Sequence, residues 1–329
     1  MTALRVGIVG WATAVPEGRV TNADLEARVD TSDEWIVERT GIRERRVASE
    51  NETTASLGTA AAAEALKRAG CAPADIDLMI VATASPEQPL PHTGAFIGDP
   101  LGLRCASFDL QAACAGFVYE LVVAASMMQT GYERVLIVGS ETLSRIIDPL
   151  DRTTTVLFGD GAGAAVLGRT EHEPGLLAWD LGCDGSAAGL LEIPAGGSRR
   201  PATAETVAAR DHYLKMAGQE VFRRAVRAVV DSATATMERA GIGVEEIAWF
   251  VPHQANARII DAAGQRLGVE GARTLVNIDR YGNTSSASIP LALFEAVDDG
   301  RVKNGDLVLC AGFGAGMTWA SALIRWGAR

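Results

Sequence analysis

The stretch Ile76-Asp77-Leu78-Met79-Ile80-Val81 is an apolar run broken once by a carboxylate, and it follows a helical stretch through Ala60, Ala61, Leu66 and Ala69 that stops at Gly70. The same order returns downstream, where a helix starting near Val221 stops at Ala240-Gly241 and leads into Ile247-Ala248-Trp249-Phe250-Val251. Both landmarks are 171 residues apart (70 to 241, 76 to 247). A second pair, Val135-Leu136-Ile137-Val138-Gly139 and Leu307-Val308-Leu309-Cys310-Ala311, matches at 172 (135 to 307), each run preceded by a helix ending near Gly131 or Gly305. Unbroken Val/Ile/Leu strands suit a sheet covered on both faces, and helices alternating with them supply the cover. The expected fold is therefore α/β, a five-layered α/β/α/β/α sandwich made of two duplicated halves, residues 1–172 and 173–329.

Composition sets the frame. With 329 residues, 48% of them hydrophobic, the chain can bury a large core, and its formal charge of −11 argues against nucleic acid as a general partner. The opening Met1-Thr2-Ala3-Leu4-Arg5-Val6-Gly7-Ile8-Val9-Gly10 reads as a first buried strand rather than a charged leader. The longest apolar candidate, around 117–128, is interrupted by Glu120, so no membrane span is expected and a cytoplasmic protein is. Cys71, Cys105, Cys114, Cys183 and Cys310 have no paired spacing, which suits reduced thiols. His92, His172, His212 and His253 never pair with Cys or acidic residues at ligand spacing on a common short element, so no metal site is expected.

Chemistry concentrates at three places. Cys114 lies in Phe108-Asp109-Leu110-Gln111-Ala112-Ala113-Cys114-Ala115-Gly116-Phe117, where a strand-like run meets a helical one. A thiol at a helix N-terminus faces unpaired amides that favour thiolate, and its small neighbours leave room for a substrate, which suits covalent catalysis on an acyl group. His253 follows the second-half copy of the Ile76 strand, and Asn283 lies just before Ser285 and Ser286, one of which the internal repeat sets opposite Cys114. All three fall at strand or helix ends, where open α/β folds place their sites. The other four cysteines read as small buried hydrophobes. Gly159-Asp160-Gly161-Ala162-Gly163 lacks the Lys-Ser/Thr of a phosphate loop and reads as close backbone packing.

At these residues the chain resembles the condensing enzymes of the thiolase superfamily, most closely the beta-ketoacyl-acyl carrier protein synthase III family. The resemblance runs through Asp30-Thr31-Ser32-Asp33-Glu34-Trp35-Ile36-Val37, Arg39-Thr40-Gly41-Ile42-Arg43, Ala112-Ala113-Cys114-Ala115-Gly116-Phe117 and Phe158-Gly159-Asp160-Gly161-Ala162-Gly163-Ala164. It continues through Val251-Pro252-His253-Gln254-Ala255-Asn256, Tyr281-Gly282-Asn283-Thr284-Ser285-Ser286 and Gly312-Phe313-Gly314-Ala315-Gly316. It implies a homodimer that takes an acyl group from acyl-coenzyme A onto Cys114 and condenses it with malonyl-acyl carrier protein, with no dissociable cofactor. His253 and Asn283 would donate hydrogen bonds to the enolate formed as carbon dioxide leaves, and the backbone amides of Cys114, Gly314 and Ala315 would serve the acyl-cysteine oxygen. The resemblance also assigns Thr31, Trp35, Arg39, Arg152, Gly218, Phe222, Asn256 and Phe313 to coenzyme A, with Trp35 and Arg152 gripping the adenine from both sides. Arg223, Arg224, Arg227, Arg258 and Arg266 would dock the acidic carrier protein.

The chain departs from the family pattern at several positions. Leu90 stands where acetyl-preferring members commonly have Phe, which implies a roomier acyl pocket. Ala315 stands where many members have glycine, so the geometry of its amide depends on whether that turn needs a positive φ. Two alternatives fall within the resemblance: a starter-unit synthase or acyltransferase of secondary metabolism, and a noncatalytic partner subunit, which should have lost the nucleophile.

Overall fold

Two sheets share one strand order in the computed structural model, which describes residues 3–173 and 175–327. The first runs Val6–Ala14, Asp160–Arg169, Arg134–Thr142, Leu78–Ala82, Ala106–Leu110; the second runs Leu176–Cys183, Thr318–Arg325, Leu307–Gly314, Trp249–Pro252. Pairing repeats as well, with the first two contacts of each sheet antiparallel and the next parallel. Where the first sheet adds the parallel strand Ala106–Leu110, the second carries only a single parallel bridge between Phe250 and Thr274. The chain leaves the first sheet at Arg169 and enters the second at Leu176, so the expected boundary at 172/173 falls in that connection. Met1 and Thr2, at the head of the expected first strand, lie outside the described residues, as do Ala328 and Arg329 at the other end.

Alternation along each strand explains the five layers. Leu78, Ile80, Val135, Ile137, Val308 and Cys310 point into a central core with the helices Gly116–Met128 and Ser288–Asp298. Their neighbours Met79, Val81, Leu136 and Val138 turn outward against the helix Thr54–Ala69, and Leu309 and Ala311 against the helices Gly218–Ala240 and Ala257–Leu267. Both faces of each sheet are thus covered, which is why these strands read as unbroken apolar runs. Emptying one such position, as in Ile80→Ala, costs about 2–5 kcal/mol. The two expected helix stops are real caps, with Gly70 at φ 64° and Gly241 at φ 67° in the left-handed region.

Burial corrects the reading of the cysteines. Cys310 is a core residue, but Cys71 and Cys105 are half-buried and Cys183 is exposed, so only one of the four behaves as a buried hydrophobe. Cys183 ends its strand, where cover by the helices runs out.

The repeat extends to the turns between strand and central helix. Ala113 and Ser285 both adopt left-handed backbone, φ 46° and 48°, and each opens a one-turn 3-10 segment, Ala113–Ala115 or Ser285–Ala287, that runs into a central helix. Their match fixes Ser286 as the counterpart of Cys114 and leaves Ser285 opposite Ala113.

Candidate active site

Cys114 sits in the middle of its 3-10 turn, ahead of the helix proper at Gly116, and is 8% exposed. The end of the strand Leu307–Gly314 closes over it. A Cβ on Gly314 would lie 2.6 Å from the Cys114 amide nitrogen and 2.9 Å from the Ala112 carbonyl oxygen, both backbone atoms that cannot swing away. Only glycine lets this strand meet the turn, and the contact sets the Cys114 and Gly314 main chains side by side. Ala315 follows outside the cavity, and the positive φ of this turn belongs to Gly316 at 135°, so alanine is accommodated at 315.

Burial pushes the Cys114 thiol up to about 12; the Ser285 hydroxyl pulls it down, and the charge of Glu141 pushes it further up. Loss of water on burial thus opposes the thiolate that a helix end favours.

His253 is held by its own strand and by the central helix. Its amide donates to the Ala311 carbonyl at 2.8 Å, its ring meets Phe313 edge-on at 5.5 Å, and Nδ1 lies 2.6 Å from Ser288 Oγ. Burial lowers its pKa to about 3, so the ring is neutral. Ser288 Oγ also accepts the Gln254 amide at 3.3 Å, and in the tautomer where it donates to Nδ1 the ring proton sits on Nε2.

Asn283 is fixed through its backbone and its side-chain oxygen. Its amide donates to the Leu157 carbonyl at 2.8 Å, its carbonyl accepts from Gly159 at 3.0 Å, and the Ser285 amide donates to Oδ1 at 2.9 Å. Holding Oδ1 leaves the Nδ2 protons free for the cavity. Gly159 performs the close packing expected of its motif, since a Cβ there would collide with the Tyr281 carbonyl.

Cys114, His253 and Asn283 line one cavity of about 460 Å³, together with Trp35, Arg39, Gly218, Phe222, Asn256, Phe313 and Gly314. Asn256 joins two walls by capping the helix Ala257–Leu267 and donating from Nδ2 to the Arg39 carbonyl at 2.9 Å. Phe158, Met216 and Ile259 also line it and were missed, since nothing in an apolar side chain marks it as cavity wall rather than core.

Other assignments do not converge there. Thr31 lies outside the lining, with its hydroxyl buried and without a partner. The Arg152 guanidinium lies over the Trp35 ring at 5.2 Å and is tied to the Asp30 carbonyl at 2.7 Å. A planar base between them needs about 7 Å, two stacking contacts of roughly 3.5 Å, so the pair must part to grip one. Leu90, expected in the acyl pocket, is 83% exposed and lies outside the lining of this cavity. The five assigned arginines differ in their partners. Arg223 and Arg224 pair with Glu220, Arg224 also with Asp184, and Arg227 with Asp231. Arg258, over the Phe222 ring at 5.8 Å, and Arg266 form no ion pair among the described residues.

The match to known proteins spans nearly the whole chain. Family models described as 3-Oxoacyl-[acyl-carrier-protein (ACP)] synthase III and its C terminal match residues 108–185 and 237–326. The beta-ketoacyl-[acyl-carrier-protein] synthase III of Symbiobacterium thermophilum is 51% identical over 324 residues, 98% of each chain. That of Desulfitobacterium hafniense is 49% identical over 326 residues, again 98% of each. The crystal structure of the Thermus thermophilus synthase III superposes with a TM-score of 0.91 at 47% identity, covering 98% of this chain and 100% of that one. The priming beta-ketosynthase of the R1128 polyketide biosynthetic pathway gives 0.92 at 39% identity, covering 100% and 98%.

Proposed function

The chain belongs to the beta-ketoacyl-[acyl-carrier-protein] synthase III family, and from that premise we propose how its residues divide the work. The enzyme joins an acyl-coenzyme A primer to malonyl-acyl carrier protein by decarboxylative Claisen condensation, the step that initiates fatty acid biosynthesis.

In our reading Cys114 attacks the primer thioester, and the adjoining amides of Cys114 and Gly314 hold the oxyanion. Coenzyme A leaves and malonyl-acyl carrier protein enters the same cavity. Loss of carbon dioxide needs no base, only donors where the enolate charge gathers. Nε2–H of neutral His253 and Nδ2–H of Asn283 are two such donors, each worth roughly 3–4 kcal/mol in comparable sites. The enolate carbon then attacks the acyl-cysteine, and Cys114 departs. No resident cofactor enters any step, and both substrates are thioesters of the cytoplasm, where we place the protein.

The pocket's far end is assigned to a second copy of this chain. Leu90 (83% exposed), Phe96 and Phe108 form exposed apolar surface beside the free edge of Ala106–Leu110, and a two-fold partner laid on that edge would cover them and lend Leu90 to its neighbour. Carrier-protein docking rests on Arg258 and Arg266, the two assigned arginines left unpaired, and coenzyme A binding on Trp35, Arg39 and Asn256 at the mouth, with Arg152 swinging off Trp35.

The observation that carries the reading is that Cys114, His253 and Asn283, scattered over 170 residues of sequence, line one cavity (114 to 283). Mass spectrometry after incubation with acetyl-, butyryl-, isobutyryl- and hexanoyl-coenzyme A tests it. An acyl adduct on Cys114 is expected; an adduct on another cysteine, or none with any primer, refutes the assignment.

A further inference from the structure

One arginine side chain lies wholly inside the protein, against the turn that carries Asn283. Arg45 sits on the hairpin of Arg19–Thr21 and Glu44–Arg46, opposite Val20, and is 1% exposed. Its guanidinium donates to three uncharged oxygens: from Nη1 to the Val20 carbonyl at 3.2 Å and to Asn22 Oδ1 at 2.9 Å, and from Nη2 to the Val156 carbonyl at 2.7 Å. It makes no ion pair among the described residues, and burial lowers its pKa to about 10, so the group is a cation at neutral pH. Taking an unpaired cation out of water is costly, and an aliphatic chain of similar length would fill the volume without that cost. What the guanidinium adds is direction, because its planar fork holds several acceptors in fixed places.

One arm of the fork leads to Asn283. Val156 follows the short helix Arg152–Thr155 and opens the segment whose Leu157 carbonyl accepts the Asn283 amide at 2.8 Å and whose Gly159 amide donates to the Asn283 carbonyl at 3.0 Å. These bonds make a parallel bridge between Phe158 and Asn283. The arginine stem touches a glycine on each strand of that bridge, since a Cβ on Gly159 or Gly282 would lie 3.1 or 3.3 Å from the Arg45 Cβ. Gly282 has φ 64° and ψ −157°, a conformation open essentially to glycine alone, so the residue before Asn283 has no side chain of its own to brace the turn. The other arm of the fork is fixed in turn. Asn22 donates from Nδ2 to Asp33 Oδ1 at 2.7 Å and to the Ile42 carbonyl at 2.8 Å, which aims its Oδ1 at Arg45.

We propose that Arg45 is a positioning residue for the decarboxylation: it locks the 156–159 segment and the glycines beside it, and through them the place of the Asn283 side chain in the cavity. A donor serves an enolate only where the charge forms, and a displacement of about 1 Å can cost roughly 100-fold in rate. Arg45 itself is outside the cavity lining and touches no substrate, so it acts only through Asn283. Its hydrogen bonds reach neither Cys114 nor Gly314, whose main chains are set by their own contact. Acylation therefore needs nothing from Arg45, and the two half-reactions separate its role from general support of the fold.

This role rests on Asn283 being a donor to the enolate, which Asn283→Ala tests separately. The experiment measures single-turnover acylation by acetyl-coenzyme A and decarboxylation of malonyl-acyl carrier protein on the whole enzyme, in Arg45→Met, Arg45→Lys, Asn283→Ala and the double variant Arg45→Met with Asn283→Ala. Arg45→Met keeps most of the stem and is expected to decarboxylate roughly 100-fold more slowly, with acylation within about threefold of wild type. Arg45→Lys keeps the charge but not the fork and should fall between the two. The double variant should be no slower than Asn283→Ala, because Arg45 acts through that residue. Equal losses in both half-reactions, or losses that multiply in the double variant, mean a merely structural role and overturn the proposal. Normal decarboxylation in Arg45→Met beside a slow Asn283→Ala overturns it as well. Normal decarboxylation in Asn283→Ala refutes the donor reading, and the task assigned to Arg45 falls with it. Should Arg45→Met not fold, Arg45→Lys decides alone: a loss confined to decarboxylation supports the proposal, and wild-type rates or equal losses overturn it.

Discussion

Ser288 Oγ lies 2.6 Å from His253 Nδ1, so the two share one hydrogen bond whose direction goes with the tautomer of the ring. Ser288 comes from the first turn of the central helix Ser288–Asp298, so in our reading the second half of the duplication orients the donor for a nucleophile that belongs to the first. Ser288→Ala frees the ring to place its proton on either nitrogen. Malonyl decarboxylation is expected to fall roughly 100-fold, as for loss of one oxyanion donor, and far more than acylation of Cys114. Separate single-turnover measurements of the two half-reactions check this; equal losses in both would show that Ser288 does not act through His253.

His253 also leaves a mark on stability. Its pKa is about 3 when folded and near 6.5 in the unfolded chain, so between those values the unfolded state binds the extra proton. The contribution is intact above pH 6.5 and is lost as pH falls toward 3, at up to about 1.4 kcal/mol per pH unit. Denaturant unfolding of wild type and His253→Gln at pH 4.5, 5.5 and 7 isolates this residue from the buried carboxyls, which pull the other way. Wild type should lose stability more steeply on acidification; parallel curves would mean that the ring is charged or solvated.

The unpaired arginines give a prediction about docking. Arg258→Glu and Arg266→Glu should each raise KM for malonyl-acyl carrier protein several-fold at low salt, with kcat and acylation little changed, and the effect should shrink as salt screens it. Arg227→Glu should do less, because Asp231 already answers that charge at 3.3 Å. If Arg227 matters more than Arg258, the carrier protein binds farther up the long helix.

Leu90→Phe should shift preference toward acetyl-coenzyme A over butyryl and isobutyryl primers. One methylene in an apolar pocket is worth roughly 1–3 kcal/mol, or 10- to 200-fold in the ratio of kcat/KM values. Sedimentation of the same samples reports whether the exposed edge is covered by a second copy. Strict acetyl preference in the parent, unchanged by the substitution, would mean that another residue closes the pocket.

The sandwich was legible because a doubly covered strand needs apolar residues on both faces, and the runs at Leu78, Val135 and Leu307 have them. The repeat was legible because helix stops such as Gly70 and Gly241 hold fixed places in it. Cys114, His253 and Asn283 could be picked out by their polar or reactive character inside apolar or small-residue contexts. Glu141 escaped, since a carboxylate ending an apolar strand reads as an ordinary surface terminus until the fold buries it. Ion pairing was equally hidden: Arg224 meets Glu220 one turn away but also Asp184, which lies 40 residues back on another element. The exposure of Leu90 was hidden as well, because a lone Leu between Pro89 and Pro91 reads the same in sequence whether the fold buries it or not.

The paired turns share a backbone but not a chemistry. Two positions per chain have the same left-handed entry, the same 3-10 segment and the same central helix behind them, yet one ends in sulfur at Cys114 and the other in oxygen at Ser286. The hydroxyl at Ser286 faces Glu141 and the Ala82 carbonyl, at 2.8 and 2.9 Å, and is closed off from the cavity. The two turns thus offer the cavity a single reactive side chain, the sulfur of Cys114, while the hydroxyl of its twin is spent inside the fold.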